Sequence, residues 1–393
     1  MRCNYLTLES MVKRKICYGI VQPGQSVTDG IPVIKVNNLI SGLKSLSELD
    51  TTTRENEAKY IRTRLHGGEL IISVVGTIGK TAIVPKSFAG CNLVRATALI
   101  DIEDALLSKW VKYYIDSPYG QSYIEQNLNT TVQPTLNIKS LEKMSIPLYD
   151  TEYMEKIVLL LSSLDEKIAI NRAINDNLQQ QAHAIYREWF IDYAPFGGEA
   201  PSDWKRGKLK DILSLQKRGT KAGAEPTLPY LPIDTIPMRT FAVSDFRPNE
   251  EAQSSLIQFR QDDILIGAMR VYFHRVIIAP CDGITRTTCF VLTPTDPAYL
   301  SFGLLTCDLD SSIDHAQNTS KGSTMPYAVW DGGMGEIEIA IPPLAVASEF
   351  NELVLPMLRQ IQKSYYEVKA LREIRDSMLP RLMSGDLDVS ECF

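Results

Sequence analysis

Residues 153–190 read YMEKIVLLLSSLDEKIAINRAINDNLQQQAHAIYREWF, a stretch with neither proline nor glycine. Within it Ile157, Leu161, Leu164, Ile168, Leu178, Ala182, Ile185 and Trp189 recur at alternating spacings near four and three. That is the a/d seam of a long helix built to pack along a partner. Asn171 and Asn175 fall on the same seam, where polar side chains lower stability but fix register. A second such stretch lies near the end of the chain, with Val354, Leu358, Ile361, Tyr365 and Val368, then Leu371, Met378 and Leu382. Pro356, near its start, is tolerable only in a first turn or as a kink, so the register there is open, and Pro380 is expected to close the helix. A single stripe of this kind reads as an amphipathic helix packed on its own domain. Two at matching places predict a pair, antiparallel, with a globular part at each end. At 1.5 Å per residue a helix of about 34 residues spans about 50 Å, the length of about 15 base pairs of B-DNA.

The segments outside the helices repeat each other. Ile31-Pro32-Val33-Ile34-Lys35-Val36 matches Leu228-Pro229-Tyr230-Leu231-Pro232-Ile233, Gly68-Glu69-Leu70-Ile71-Ile72 matches Asp262-Asp263-Ile264-Leu265-Ile266, and Ser145-Ile146-Pro147-Leu148 matches Ala340-Ile341-Pro342-Pro343. All three pairs stand at a shift of about 195 residues, in the same order, which predicts a tandem duplication with a period far longer than a solenoid repeat. Each copy begins with short apolar runs rich in Val, Ile and Thr, punctuated by Gly, Pro and Asn, the pattern of a mixed, strand-rich α/β domain. The expected architecture is α+β. Two tandem mixed α/β domains, residues 1–150 and 196–345, are joined by two long helices in 151–195 and 346–393, the latter with a C-terminal tail. The helices pair as an antiparallel coiled coil, giving a pseudo-twofold duplication.

Composition narrows the function. The chain has 393 residues, 44% hydrophobic and 22% charged, and a formal net charge of −6, which argues against an indiscriminate basic polyanion binder. The charge is unevenly placed: counting from the sequence gives +3 for residues 1–150, −4 for 151–199, −3 for 200–345 and −2 for 346–393. The helices are thus the most acidic segments for their length, and the near-neutral domains can still bind DNA if their cations line one face. The N-terminal residues lack the apolar core of a signal peptide, and the most apolar run, Leu70–Val84, is interrupted by Gly76, Gly79 and Lys80 and is too short to span a bilayer. Seven scattered cysteines without a CxxC pair argue against a disulfide framework or a zinc site. The expectation is a cytoplasmic protein with no membrane partner.

Catalytic signatures are sought and not found. Gly79-Lys80-Thr81 resembles the end of a P-loop, but Val74 stands where that motif needs glycine, and the following Ala-Ile-Val-Pro reads as a strand. A tight turn between strands is the plainer reading; a turn tip offering Thr77 and Lys80 to a nucleic acid is the sharper one. No Asn-Pro-Pro-aromatic or Asp-Pro-Pro-aromatic motif of amino-methyltransferases occurs, and His66, His183, His274 and His315 stand apart, so no metal cluster or triad is expected. Asp165-Glu166-Lys167 resembles a nuclease's acidic pair but reads as the solvated face of the first long helix.

Polar loops remain. Asn129-Thr130-Thr131-Val132-Gln133-Pro134 occupies the same place in copy one as Asn318-Thr319-Ser320-Lys321-Gly322-Ser323 in copy two, and such residues donate to phosphates or read base edges. Arg95 and Arg286 follow the Gly-rich bends at similar distances, and Arg270, Tyr272 and His274 stand in copy two where Gly76 and Lys80 stand in copy one. The candidate DNA-binding residues are therefore Thr77, Lys80, Arg95, Thr130, Thr131, Gln133, Arg270, Tyr272, His274, Arg286, Thr319, Ser320 and Lys321. The ordinary alternative for each is a surface loop. The candidate helix-pairing and partner residues are Ile157, Leu161, Leu164, Ile168, Leu178, Ile185, Val354, Leu358, Ile361, Tyr365 and Val368.

The whole pattern resembles the specificity subunit of a type I restriction–modification system. The resemblance runs along essentially the entire chain and rests on Gly68-Glu69-Leu70-Ile71, Asp262-Asp263-Ile264-Leu265, the Ile146-Pro147-Leu148 before the first helix, and the closing Leu382-Met383-Ser384-Gly385-Asp386-Leu387. It implies two target-recognition domains, each contacting one half of a split, asymmetric double-stranded DNA target, and a non-catalytic chain that binds no cofactor. It also implies that the helices set the gap and dock two modification subunits. Those partners would carry S-adenosylmethionine and methylate adenine N6 after flipping the base, and restriction subunits would add ATP-driven translocation and cleavage. The competing readings are a stand-alone DNA methyltransferase and a coiled-coil adaptor with no nucleic-acid role.

Overall fold

The computed structural model of the chain describes residues 3–43, 45–129, 134–253 and 255–387. Helix and sheet are mixed throughout, and the chain divides into two compact units. Unit one comprises Met1–Asp165 with Arg372–Phe393, and unit two comprises Glu166–Leu371. The division falls inside the two long helices, so each unit takes a stretch of both.

In unit one, β1 (Asn4–Thr7), β2 (Arg14–Tyr18), β3 (Leu70–Ser73), β4 (Thr81–Ile83), β5 (Thr97–Asp101) and β6 (Ser145–Leu148) are followed or interleaved by α1 (Ala105–Asp116), α2 (Pro118–Gln126) and α3 (Thr151–Phe190). Four strands form an antiparallel sheet in the order β2-β5-β3-β4, while β1 and β6 pair separately, with Asn4 opposite Leu148. The central strand explains why its sequence is a continuous apolar run. Leu70 and Ile72 pack on one face with Ala98, Ile100 and Trp110. Ile71 packs on the other with Leu99, Ile34, Phe88 and Leu93. Both faces are covered, so alternation is lost.

Unit two repeats this arrangement with different residues. Its strands are β7 (Lys205–Lys208), β8 (Leu213–Leu215), β9 (Ile264–Gly267), β10 (Val276–Ile278), β11 (Cys289–Pro294) and β12 (Glu338–Ile341), with α4 (Leu300–Asp308), α5 (Asp310–Asn318) and α6 (Leu344–Ser384). The sheet order is β8-β11-β9-β10, and β7 pairs with β12. Ile264 and Ile266 face one core with Leu292 and Phe302, and Leu265 faces the other with Val291 and Phe259. The landmarks matched in the sequence thus occupy matching places: Leu70↔Ile100 and Ile71↔Leu99 in one sheet answer Ile264↔Leu292 and Leu265↔Val291 in the other.

A buried acid precedes each central strand. Glu69 accepts hydrogen bonds from the backbone N–H groups of His66 (2.7 Å) and Gly67 (2.8 Å) and from Arg14 (2.9 Å). Asp263 accepts from the backbone N–H of Arg260 at 2.7 Å and from Arg218. The repeated Gly-Glu and Asp-Asp phrases are therefore the anchor that ties the turn before the strand to a distant arginine, on β2 in unit one and on a loop in unit two.

The long helices run antiparallel within each unit. In unit one Tyr153 Oη donates to the carbonyl of Leu382 at 3.0 Å, and Asp165 meets Arg375. In unit two Lys167 Nζ stands 3.4 Å from Glu367. Ile157, Leu161, Ile168, Val354, Leu358, Ile361 and Val368 are buried, and Leu164, Leu178, Ile185 and Tyr365 are half-buried.

Three expectations are corrected. First, Pro356 lies in neither a first turn nor a break. The helix α6 runs unbroken from Leu344 to Ser384 and continues through Pro380 as well. Pro356 is exposed, as is Glu352, whose carbonyl loses its partner, so water can satisfy that group. Second, the seam of α3 shifts by one residue near its end: Tyr186 and Phe190 enter the core in place of Ile185 and Trp189, drawn by Phe302, Phe350 and Trp204. Third, Asp165 is not on a solvated face, because Lys112, Tyr113 and Arg375 converge on it.

Candidate nucleic-acid interface

In unit one β3 and β4 are joined by residues 74–80, a turn closed by Ser73. Its hydroxyl donates to the carbonyl of Thr77 at 2.6 Å and accepts the N–H of Lys80 at 2.9 Å. Gly76 and Gly79 have φ of 78° and 83°, the left-handed region that glycine enters without strain. At Gly79 a side chain would also collide with Gln121, whose Oε1 lies 2.8 Å from the position of an added Cβ. Gln121 in turn donates to the carbonyls of Gly79 and Ile115, fixing the turn to α1 and α2. Thr77 and Lys80 are exposed at the tip. The segment is a tight turn between strands.

The short strand Thr135–Leu136 lies beside this turn. Val75 bridges to Thr135, and Leu136 N–H donates to the carbonyl of Val74 at 2.9 Å. The strands Leu128–Asn129 and Thr135–Leu136 pair across the loop between them. Thr130, Thr131 and Gln133 lie in that loop, outside the described residues. Arg95 is exposed next to Ala96, whose carbonyl accepts the N–H of Val74.

Unit two brings the corresponding segments together by the same kind of pairing. The connection between β9 and β10, residues 268–275, meets the chain after α5: Met269 bridges to Tyr327, Lys321 bridges to Tyr327, and Arg270 N–H donates to the carbonyl of Pro326 at 2.9 Å. Arg270, Tyr272 and Lys321 are exposed, and Arg286 is exposed at the end of the strand Gly283–Arg286. Thr319 and Ser320 are half-buried, and their hydroxyls donate back to the carbonyls of His315 and Ala316 at the end of α5. His274 is buried, 3% exposed, so its ring is a structural support of the connection and not part of its outer surface.

Sequence reasoning missed several neighbours. A cleft of about 570 Å³ beside the connection is lined by Met269, Phe290, Trp330, Thr287, Thr288 and Tyr327. Tyr327 is 47% exposed, an aromatic of the type that stacks on bases. Its signal was its place after the polar loop, where Thr135 stands in copy one. The histidines are also not all isolated: His183 and His274 both contact Asp308. They are far apart in sequence, so no spacing motif could reveal them.

Comparison with known proteins identifies the region. Residues 25–180 match the family described as Type I restriction modification DNA specificity domain. This stretch is similar to a type I specificity domain. The match begins between β2 and β3 and ends within α3. The chain is 28% identical over 204 residues to the type I restriction enzyme EcoBI specificity subunit of Escherichia coli, 51% of this chain but 42% of that protein's length. It is 24% identical over 320 residues to the MjaIX specificity subunit of Methanocaldococcus jannaschii, covering 74% of this chain and 71% of that one. The fold is similar to the crystal structure of a type I restriction–modification system S subunit from M. genitalium, with a TM-score of 0.64 at 15% identity, over 97% of this chain and 96% of that one. The chain is thus similar in sequence to type I restriction–modification specificity subunits, and its fold is similar to that of one. Among the described residues no helix is long and apolar enough to cross a membrane.

Proposed function

We propose that the chain is the sequence-specific DNA-binding subunit of a type I restriction–modification complex, located in the cytoplasm. Each globular part reads one half of a bipartite, asymmetric double-stranded target. The observation that carries this reading is the duplicated placement of two loops at one sheet end. The turn after the central strand meets the segment that follows the polar loop, at Thr135 and Leu136 in unit one and at Pro326 and Tyr327 in unit two. The frameworks match while the exposed side chains differ: Thr77 and Lys80 in one, Arg270, Tyr272 and Lys321 in the other. Two non-identical tips on one framework suit two different half-sites.

On this reading the two long helices form an antiparallel coiled coil that sets the gap between half-sites and docks two modification subunits. The pairing of α3 with α6 inside each unit supports it. Catalysis belongs to the partners. The modification subunits bind S-adenosylmethionine and methylate adenine, the restriction subunits use ATP, and this chain binds neither cofactor.

The test is to express the chain with its partner subunits in a host lacking other adenine methylation and to map methylated adenines by single-molecule sequencing. The expected result is one motif of two defined halves separated by a fixed gap, and exchange of unit-one tip residues should change one half only. Methylation unaltered by removal of this chain would overturn the reading.

A further inference from the structure

Three elements of unit two meet at one carboxylate. Asp308, the last residue of α4, is buried, and its Oδ2 lies 2.8 Å from Nε2 of His183 on α3. Its Oδ1 lies 2.8 Å from Nε2 of His274, which ends the connection between β9 and β10. A carboxylate only accepts, so both Nε2 atoms carry hydrogen. The other ring nitrogen of His274 is the informative one. Nδ1 is buried without a hydrogen-bond partner, and Oδ1 of Asp310 stands 3.5 Å from it. In the neutral ring Nδ1 would turn a lone pair toward an anionic oxygen. In the imidazolium it carries a hydrogen and can close on Asp310.

The carboxylates of Asp308 and Asp310 favour the imidazolium, and the cations around them oppose it. Asp310 is also paired to Arg239 Nη1 at 3.2 Å, and Arg239 is held through its backbone, its N–H donating to the carbonyl of His274 and its carbonyl accepting from Gln179 on α3. His183 shares Asp308 from the far side, and Arg187 lines the same cleft of about 520 Å³. Arg275, next in the chain, has its Nε buried and unpartnered. Arg270 and His274 have φ of 50° and 53°, so the connection is held in a left-handed form that non-glycine residues avoid. Something must hold it there, and the His274 ring is clasped from two sides.

We propose that His274 is a positioning residue. As an imidazolium between Asp308 and Asp310 it clamps residues 268–275 in the shape that presents Arg270 and Tyr272, making DNA binding by unit two proton-linked. This rests on the reading of that connection as DNA-facing. The clamp is present while Nδ1 carries its hydrogen and is released when that proton is lost.

The test uses the full chain, first without DNA. Nitrogen-resolved NMR of the His274 ring and amide hydrogen exchange of residues 268–275, corrected for intrinsic rates, are followed from pH 5.5 to 8.5. Both ring nitrogens should be protonated at the acid end. Loss of the Nδ1 proton should accompany faster exchange by about tenfold, the scale of one charge-assisted hydrogen bond. Asp310→Asn, at a side chain 75% exposed, leaves Asp308 in place and should lessen the pH dependence. An Nδ1 without hydrogen at pH 5.5, or exchange indifferent to pH, overturns the clamp. The second measurement is fluorescence anisotropy with a duplex recovered by selection from a randomised library. Wild type should bind about tenfold more tightly than Asp310→Asn at pH 5.5 and equally at pH 8.5; a constant ratio overturns the link to DNA. If wild type binds no duplex at any pH while ring and exchange behave as expected, the DNA-facing reading fails and the clamp stands.

Discussion

Arg375 Nη1 stands 2.7 Å from Asp165 Oδ1, joining the two long helices within unit one across 210 positions of sequence. The second oxygen of Asp165 takes the hydroxyl of Tyr113 at 2.9 Å and the ammonium of Lys112 at 3.3 Å. Burial works to raise the carboxyl's pKa, but Lys112, then Arg375 and Tyr113, together outweigh it and hold it below the ordinary value. A depressed carboxylate contributes stability that is present above its unfolded pKa and lost as pH falls through the folded one. Unfolding of the wild-type chain should therefore grow easier below about pH 4. Asp165→Asn should cost about 2 kcal/mol at pH 7, because half-buried Lys112 and Arg375 lose their shared anion and keep only Asp116 and Asp376. It should also flatten the acid limb. Denaturant titrations at pH 3 and 7 check both, and an equal loss at the two pH values would refute the assignment.

That network also marks where the sequence stopped being legible. The helices and the paired sheets could be read because their signals are local: apolar spacing along 153–190, and Gly-Glu or Asp-Asp before a run such as Leu70-Ile71-Ile72. Asp165 looked solvated because its partners are supplied by α1 and by α6, which no helical period on α3 encodes. The shift of the seam to Tyr186 and Phe190 follows from Phe302, Phe350 and Trp204, again distant in sequence. Of the candidate site, the tips carrying Lys80 and Arg270 were legible through the duplication. The burial of His274 was not, since its partner Asp308 lies 34 positions on.

The buried acid before each central strand should be equally sensitive in both copies. Glu69 is 3% exposed and Asp263 is 2% exposed, and each accepts backbone N–H groups and an arginine. Glu69→Gln or Asp263→Asn places an amide N–H₂ among donors. Each should cost about 2 kcal/mol, on the scale of a buried donor or acceptor left unmatched. Thermal unfolding of the two single variants checks this, and a change under half a kilocalorie in either would show that the anchor is dispensable there.

Asn171 and Asn175 should behave in the opposite direction. Both are buried in unit two, and Asn171 Nδ2 and Asn175 Oδ1 have no hydrogen-bond partner. Replacing both with leucine removes an uncompensated desolvation cost and should stabilise the chain by about 1–2 kcal/mol. The accompanying loss is in register: polar seam positions favour one alignment over its neighbours. Cysteines placed at Lys167 and Glu367 and joined by a short bifunctional maleimide should cross-link efficiently in the wild-type background and less so in the leucine variant. A destabilised double variant would show that the two amides are paired to water and belong where they are.

Lys80 offers the sharpest separation of framework from function. Its backbone N–H is used by the Ser73 hydroxyl, but its side chain is exposed at the tip of the turn. Lys80→Ala should leave Tm unchanged. If Lys80 meets a phosphate, affinity for a selected duplex should fall and the slope of log K against log salt should lessen by about 0.9, one contact's worth of released counterion. Gly79→Ala is the contrasting variant, because a side chain at φ of 83° and against Gln121 strains the turn itself. It should lower Tm and weaken binding by misplacing the whole tip, without a one-contact change in slope. Anisotropy titrations at four salt concentrations distinguish the two, and an unchanged slope for Lys80→Ala would leave Lys80 as no more than the end of a turn.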